Sequence, residues 1–195
     1  MTTAKNTTAC IPVGVSGRHL HLSREHLDAL FGPGYELTKK KDLSQPGQFA
    51  AEETVDIMTT KGAFTRVRIL GPVRKETQIE MALTDSVKLG INPPLRDSGN
   101  LAGSPGVVLV GPNGTITLDQ GAIIALRHIH MTPAQAEEFG VKDKELVQVE
   151  CLGDRAMIMG QVLVRVSDQF ALELHVDTDE GNAAGIKTGE KVRIV

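Results

Sequence analysis

The sequence predicts a mainly β protein of small barrels or sandwiches, built from two copies of one pattern. Many short segments have strand-like composition, glycine-containing turns separate them, and a six-residue motif occurs twice. With 195 residues, the chain is long enough to form one large domain or two small ones. Because the repeated positions recur in a fixed order, we interpret them as an internal duplication.

The repeated motif reads Arg, His, apolar, His, apolar, hydroxyl. Its copies are residues 18–23 (RHLHLS) and 127–132 (RHIHMT), and they contain four of the six histidines. Successive side chains on a strand alternate between faces, so a His-x-His pair presents both imidazoles on one face. Such a pair offers two nitrogen ligands to one metal ion. Each copy therefore predicts a metal-binding strand.

A short helix is predicted after each copy of the motif. Ser23 is the N-cap of the first helix. Thr132 is the N-cap of the second, followed by Pro133, and Gln135 completes a capping box. His26 lies in the first helix without a counterpart in the second, so we interpret it as a surface or helix-start histidine rather than a ligand.

Further along each copy, a strand ends in an acidic, glycine-containing turn. Aligning the Gly-Ile pair that closes each stretch places Glu80 opposite His175. Each copy then offers three potential ligands. They are His19, His21 and Glu80 in the first copy and His128, His130 and His175 in the second. The pattern predicts two metal ions, or one shared cluster, at the junction of the copies.

The rest of the chain is predicted as short strands and turns. Strands are expected at residues 11–17, 53–60, 63–70, 107–110, 115–118, 122–127, 145–152, 156–166, 171–176 and 191–195. The three lysines at 39–41 are predicted to form a solvated turn, with contact to an anionic ligand as the alternative. Residues 92–106 are predicted as a loop, because their glycines match neither a P-loop nor a dinucleotide-binding fingerprint.

Composition excludes several classes of protein. The net charge is −3, and the chain has one Tyr and no Trp, so the basic stripes and stacking platforms of nucleic-acid binding are absent. No apolar run reaches membrane-spanning length, and no secretory signal appears. Cys10 and Cys151 form no zinc-finger pattern and are predicted to be free thiols in a reduced, cytosolic protein. Cys151 fits a small apolar core residue better than a nucleophile.

A cupin is a rival interpretation of the first motif. His19, His21 and Glu25 have the spacing of the first cupin metal motif. Cupins place that Glu on a strand, whereas Glu25 falls inside the predicted helix. The second copy has Ala134 at the matching position, and His175 lacks the cupin's spacing to a downstream Asn, so we disfavour this alternative.

Four separated motifs together resemble the PduL-like phosphotransacylase family of phosphate propanoyltransferases. They are residues 13–23, 71–80, 125–133 and 174–184, and the resemblance extends from about Ile11 to Val195. The resemblance implies reversible conversion of acyl-CoA, propanoyl-CoA or acetyl-CoA, and phosphate into acyl phosphate and CoA. It also implies two Zn²⁺ ions, or another divalent transition metal, and two similar small β-barrels, each capped by short α-helices.

The same resemblance implies domain bounds and residue roles. One barrel would comprise residues 11–17 and 126–195, the N-terminal strand pairing with the C-terminal half, and the other residues 18–125, with the metal site between them. The six potential ligands would hold the metals, and Arg74 would bind phosphate as the catalytic residue. From the residues alone, a surface position is an equal alternative for Arg68 and Arg74. The implied CoA contacts are Val15, Ser16, Gly17 through its backbone, Lys61, Arg68 and Asn182.

The expected reaction is a direct displacement in a ternary complex, because the matched motifs show no Ser or Cys nucleophile. A metal would polarise the thioester carbonyl while Arg74 fixes phosphate. Two alternatives remain: a di-zinc hydrolase or thioesterase, which would not require phosphate, and a non-catalytic metal-binding barrel. Acetyl and propanoyl substrates are not distinguished, because one methylene contributes only about 1–3 kcal/mol of discrimination.

The expected location is the cytoplasm, with the lumen of a bacterial microcompartment as the alternative. Microcompartment members of the family often begin with an amphipathic targeting helix, and the residues before Ile11 are too few and too polar for one. Propanediol degradation is the pathway context that the resemblance implies. A homo-oligomer and microcompartment enzymes stay open as partners.

Overall fold

The computed structural model describes residues 9–195, so the expectation of no targeting helix before Ile11 falls largely outside the described residues. Over that range the fold is mainly β, with fifteen strands and four short helices, which confirms the predicted fold class. The chain divides into two compact units. The barrel unit comprises residues 9–16, 44–46 and 126–195, and the sheet unit comprises residues 17–43 and 47–125.

Six strands close the barrel unit. They are β1 Ile11–Ser16, β11 His128–Met131, β12 Leu146–Cys151, β13 Met157–Val166, β14 Glu173–Asp177 and β15 Lys191–Ile194. Their order around the barrel is β1, β14, β11, β13, β12, β15. Apolar side chains such as Val13, Phe139 and Val149 fill the core. Cys151 is fully buried among them, and burial raises the pKa of its thiol, as expected for a core residue.

The sheet unit is a nine-stranded sheet that curls into a half-barrel. Its strands are β2 His19–His21, β3 Lys39–Asp42, β4 Phe49–Met58, β5 Ala63–Gly71, β6 Gln78–Glu80, β7 Leu95–Arg96, β8 Val108–Val110, β9 Thr115–Thr117 and β10 Ala122–Ala125. Their order is β7, β10, β6, β2, β5, β4, β8, β9, and β3 pairs with β4. The prediction of a turn at the three lysines was wrong, because these residues form strand β3. The sequence did not indicate a strand there, since all four residues of β3 are exposed and show no apolar alternation.

The two units repeat one arrangement of strands. β2 pairs in parallel with β5 and antiparallel with β6, and β11 pairs in parallel with β13 and antiparallel with β14. In the sheet unit, His19 lies opposite Glu80. In the barrel unit, His128 lies opposite His175. The same register therefore brings a third side chain beside each His-x-His pair.

The strand that precedes each His-x-His motif belongs to the sheet of the other unit. β1 leads into β2 but pairs with β14, and β10 leads into β11 but pairs with β6. The registers also correspond, with Val13 opposite Leu174 and Ala122 opposite Ile79. The internal duplication is thus accompanied by an exchange of lead-in strands.

Four helices cap strand ends. They are α1 Arg24–Phe31, α2 Leu83–Leu89, α3 Pro133–Phe139 and α4 Thr178–Ala184. The first and third lie where helices are predicted, whereas α2 and α4 occupy stretches predicted as turns. The overlooked signals are Asp85 and Glu180, which accept backbone hydrogen bonds at the helix starts, and Gly90 and Gly185, which end the helices at φ 63° and 67°. None of the helices described is long and apolar enough to cross a membrane.

Candidate metal centres

The first ligand group forms where β2 lies beside β6. One potential ligand atom from each of His19, His21 and Glu80 lies within 4.8 Å of the others. Nδ1 of His19 is 2.9 Å from the carbonyl oxygen of Gly17, and Nδ1 of His21 is 3.1 Å from that of Leu70. When each Nδ1–H donates to its carbonyl, the lone pair lies on Nε2, the nitrogen left to bind an ion.

Glu80 is held by its own strand and by a neighbouring loop. Its Oε1 accepts hydrogen bonds from Nε2 of Gln78 at 2.6 Å and from Oγ of Ser98 at 3.3 Å. Oγ of Ser98 also accepts from Nη1 of Arg74 at 3.3 Å, and the backbone N–H of Arg74 donates to Leu22. Arg74 is therefore fixed beside the first ligand group through both its backbone and its side chain.

The electrostatics of the first group keep His21 neutral. Burial lowers the pKa of His21 to about 3, and the charges of Arg74 and His19 act in the same direction. A neutral imidazole is the form that binds a metal ion. His21 therefore needs to release no proton at neutral pH in order to serve as a ligand.

The second ligand group forms where β11 lies beside β14. One potential ligand atom from each of His128, His130 and His175 lies within 4.8 Å of the others, and the rings of His128 and His175 stack with centroids 5.0 Å apart. Nδ1 of His128 is 2.7 Å from the carbonyl oxygen of Leu126. Nδ1 of His130 is one of three buried side-chain nitrogens or oxygens without a hydrogen-bond partner among the described residues. Buried polar atoms are rarely left unsatisfied, so this group is suited to a bound cation.

The second group likewise keeps its central histidine neutral. Burial lowers the pKa of His130 to about 2, with further lowering from His128, His175 and Arg165. Three imidazoles, or two imidazoles and a carboxylate, are donor sets that suit zinc and related divalent metals. Both groups could therefore hold a metal ion, as the sequence analysis predicts for these six residues.

Glu173 is a residue that the sequence analysis missed. Its Oε2 lies 2.8 Å from Nε2 of His175 and accepts a hydrogen bond from Ser44. Burial alone would raise the pKa of Glu173, but the hydrogen bonds from His175 and Ser44 outweigh burial and lower it. The available signal was its position two residues before His175, which puts both side chains on one face of β14.

The first residue of each repeated motif is an arginine that forms an ion pair with a residue of a capping helix. Arg18 contacts Asp85 at 2.7 Å, and Arg127 contacts Glu180 at 3.0 Å. Asp85 and Glu180 occupy corresponding positions in α2 and α4. Each pair thus links a His-x-His motif to the helix that follows its third ligand.

Comparison with known proteins identifies the family. A family model described as phosphate propanoyltransferase matches residues 12–187. The chain belongs to the phosphate propanoyltransferase family. It is 60% identical to a phosphate propanoyltransferase of Thermotoga maritima, over 95% of this chain and 89% of that protein. It is 54% identical to those of Lachnoclostridium phytofermentans, over 97% and 89%, and Priestia megaterium, over 97% and 86%. The prediction that the chain is an acyltransferase is confirmed.

Both units contain residues that are expected to contact CoA from the resemblance to the phosphate propanoyltransferase family. In the barrel unit, Val15 and Ser16 end β1, and Val15 packs against Gly181, next to the exposed Asn182 on α4. In the sheet unit, Gly17 follows β1, and Lys61 lies against Gly90. Arg68 on β5 donates to the backbone carbonyls of Ala51 and Glu52 and lines an open surface groove of about 460 Å³.

His26 lies in neither ligand group of this phosphate propanoyltransferase family member. Its Nδ1 is 2.7 Å from Oγ1 of Thr77, and its backbone N–H donates to Oγ of Ser23. The backbone N–H of Ser23 donates in turn to Thr77. His26 is therefore a half-buried residue that holds the start of α1 against the segment before β6.

Proposed function

We propose that this chain catalyses acyl-CoA + phosphate = acyl phosphate + CoA, with propanoyl or acetyl as the acyl group, and that it requires metal ions at both ligand groups. Family membership supports the class of reaction. The observation that carries the metal requirement is the presence of two ligand groups built in the same register, one in each unit.

Arg74 is the proposed phosphate-binding residue. A guanidinium matches phosphate in shape and charge, and it can donate two hydrogen bonds at once. The backbone bond to Leu22 and the side-chain bond to Ser98 hold Arg74 beside the first ligand group. Phosphate bound there would be oriented and partly neutralised before it attacks the thioester carbonyl.

The chain itself supports a direct displacement. Bound zinc, or another divalent transition metal, would supply Lewis-acid polarisation of the carbonyl and an affinity for the departing thiolate. Cys151 is buried in the barrel core, and its raised pKa disfavours the thiolate needed for an acyl-enzyme. The proposed CoA contacts are Val15, Ser16 and Asn182 in the barrel unit and Gly17, Lys61 and Arg68 in the sheet unit.

The deciding experiment measures thiol release from propanoyl-CoA and acetyl-CoA, with and without phosphate. It is run on zinc-loaded protein, on chelated protein and on chelated protein after zinc is restored. We expect release only when phosphate and metal are both present. Release without phosphate would favour a thioesterase, and tight zinc binding without any release would favour a non-catalytic metal-binding protein.

A further inference from the structure

The third ligand of each group has a buried polar neighbour at the same position. Gln78 precedes Glu80 by two residues on β6, and Glu173 precedes His175 by two residues on β14. Side chains two apart on a strand share a face. Gln78 is 2% exposed and Glu173 is 8% exposed, so both polar groups require partners inside the protein.

Each neighbour has the hydrogen-bonding chemistry that its ligand needs. The amide of Gln78 donates to the carboxylate of Glu80 at 2.6 Å. The carboxylate of Glu173 lies 2.8 Å from Nε2 of His175, which can donate to it. A carboxylate ligand is thus paired with a donor, and an imidazole ligand with an acceptor.

We propose that Gln78 and Glu173 are positioning residues, and that Gln78-x-Glu80 and Glu173-x-His175 are matched pairs, each setting the orientation and basicity of the third ligand. The inference rests on the proposed function, because it takes both groups to bind metal ions. It goes further by assigning roles to two residues outside the ligand groups.

Contacts around Glu173 fix its carboxylate. Ser44 donates a hydrogen bond to it from the segment 44–46. Gln45, in the same segment, is buried and exchanges two hydrogen bonds with the backbone of Ala171. A Cβ at Gly14 would lie only 2.9 Å from Cδ of Glu173, so the glycine leaves the space that the carboxylate fills. The carboxylate therefore has little freedom to turn away from His175.

Contacts around Gln78 are equally complete. Its Nε2 donates to Oγ of Ser98 at 2.8 Å as well as to Glu80, and its Oε1 accepts the backbone N–H of Gly99 at 2.7 Å. The amide orientation is therefore determined, with oxygen toward the loop and nitrogen toward Glu80. A carboxylate at position 78 would face Glu80 with like charge and no donor.

The proposal gives His175 a distinct tautomer. Nε2 of His175 lies 2.8 Å from the carboxylate of Glu173 and 3.5 Å from the amide nitrogen of Gln45, so the carboxylate is its nearer partner. Donation from Nε2 to Glu173 leaves the lone pair of His175 on Nδ1. His19, His21 and His128 instead have Nδ1 beside a backbone carbonyl, which leaves the lone pair on Nε2. We therefore expect ¹⁵N-histidine NMR of the zinc-loaded wild-type protein to show the Nε2–H form for His175 alone among these four. An Nδ1–H form at His175 would overturn the role of Glu173.

A second experiment measures zinc affinity by competition with a chromophoric chelator. We expect Glu173→Gln to weaken one of two sites by about 10- to 100-fold, the usual cost of losing an outer partner of a metal ligand. Glu138→Gln, on the exposed face of α3, is the matched control and should leave both sites unchanged. His175→Ala and Glu80→Ala, each removing one site, assign the sites.

A transplant tests whether the pairs are matched. Glu80→His alone places an imidazole opposite the donor amide of Gln78 and should weaken the first site by about 10- to 100-fold. Adding Gln78→Glu rebuilds the other copy's pair and should recover at least about tenfold of that loss. Gln120→Glu, at an exposed position, is the control for the added charge. A double variant no tighter than the single one would overturn the pairing.

The outcomes separate the two proposals. Wild-type protein that binds no zinc would refute the metal requirement and the inference together. Two zinc sites in the wild type with unchanged affinity in Glu173→Gln would refute the inference and leave the proposed function intact. If Glu173→Gln fails to fold, the tautomer of His175 in the wild-type protein still tests the proposed role of Glu173.

Discussion

The two ligand groups differ in where their carboxylate lies. In the first group Glu80 is itself a potential ligand, whereas in the second group Glu173 stands behind the ligand His175. A divalent ion held by two neutral imidazoles and a carboxylate keeps less net charge than one held by three neutral imidazoles. If both groups hold a metal ion, as proposed, the two sites would therefore differ in Lewis acidity although their strand geometry is nearly the same.

The cations beside the two groups also have different origins. Arg74 reaches the first group from the segment between β5 and β6, and Arg165 lies on β13 directly opposite His130. Both arginines lower the pKa of a neighbouring histidine. Arg74 is connected through Ser98 to a potential ligand, whereas the guanidinium of Arg165 lies 5.7 Å from the centroid of the Phe170 ring. Similar electrostatics therefore need not imply the same role.

The largest expected effect comes from removing the third ligand of each group. Glu80→Ala and His175→Ala should each lose about one zinc ion per chain and more than about 100-fold in phosphate-dependent thiol release, more than an outer partner would cost. Metal analysis and initial rates measure both effects. If one variant loses its zinc ion but keeps its activity, the ligand group changed in that variant has a structural role, and only the other group serves catalysis.

The next effect separates the two arginines. Arg74→Ala should raise the KM for phosphate by about 10- to 100-fold, because it removes a charge-assisted hydrogen bond worth about 1.5–3 kcal/mol. The KM for acyl-CoA should change little, and Arg165→Ala should leave both constants near their wild-type values. Steady-state kinetics with each substrate varied in turn provides the measurement. Equal effects of Arg74→Ala on both substrates would assign it a structural role.

A smaller effect concerns the ion pairs to the capping helices. Arg18→Ala should lower the free energy of unfolding by about 1–3 kcal/mol, because Asp85, 7% exposed, is left without its positively charged partner. Arg127→Ala should cost less, since Glu180 is 21% exposed and its carboxylate keeps more contact with solvent than that of Asp85. Urea unfolding measures both, with Arg→Lys variants as controls. The reverse order would show that exposure does not govern these pairs.

The last effect, which is expressed per pH unit, is the pH dependence of the metal-free protein. The pKa values of His21 and His130 fall from 6.5 to about 3 and about 2 on folding, so the unfolded chain binds more protons below pH 6.5. Stability should therefore decrease as the pH falls below 6.5, by about 1.4 kcal/mol per pH unit for each histidine. Urea unfolding between pH 7.5 and 5 measures this slope. His21→Gln and His130→Gln should each flatten it, and unchanged slopes would contradict the assignment.

The features of the site that depend on local sequence patterns could be predicted from the sequence. Strand alternation placed His19 and His21 on one face, and the repeat aligned Glu80 with His175. The pattern did not reveal β3, whose side chains are all exposed, or α2 and α4, which span only about two turns each. The contact of Glu173 with Ser44 joins residues far apart in sequence, so no local signal announces it.

The exchange of lead-in strands has a consequence for how the chain can be rearranged. β1 pairs antiparallel with β15, Ile11 lying opposite Val192, so the C-terminal end of β15 lies near the N-terminal end of β1. A short peptide joining those ends, with a new start at Gly17, would give a circular permutant in which β1 follows β15 directly. The barrel strands would then form one unbroken segment. Such a permutant would change the order of the strands along the chain and keep the pairing that builds each unit.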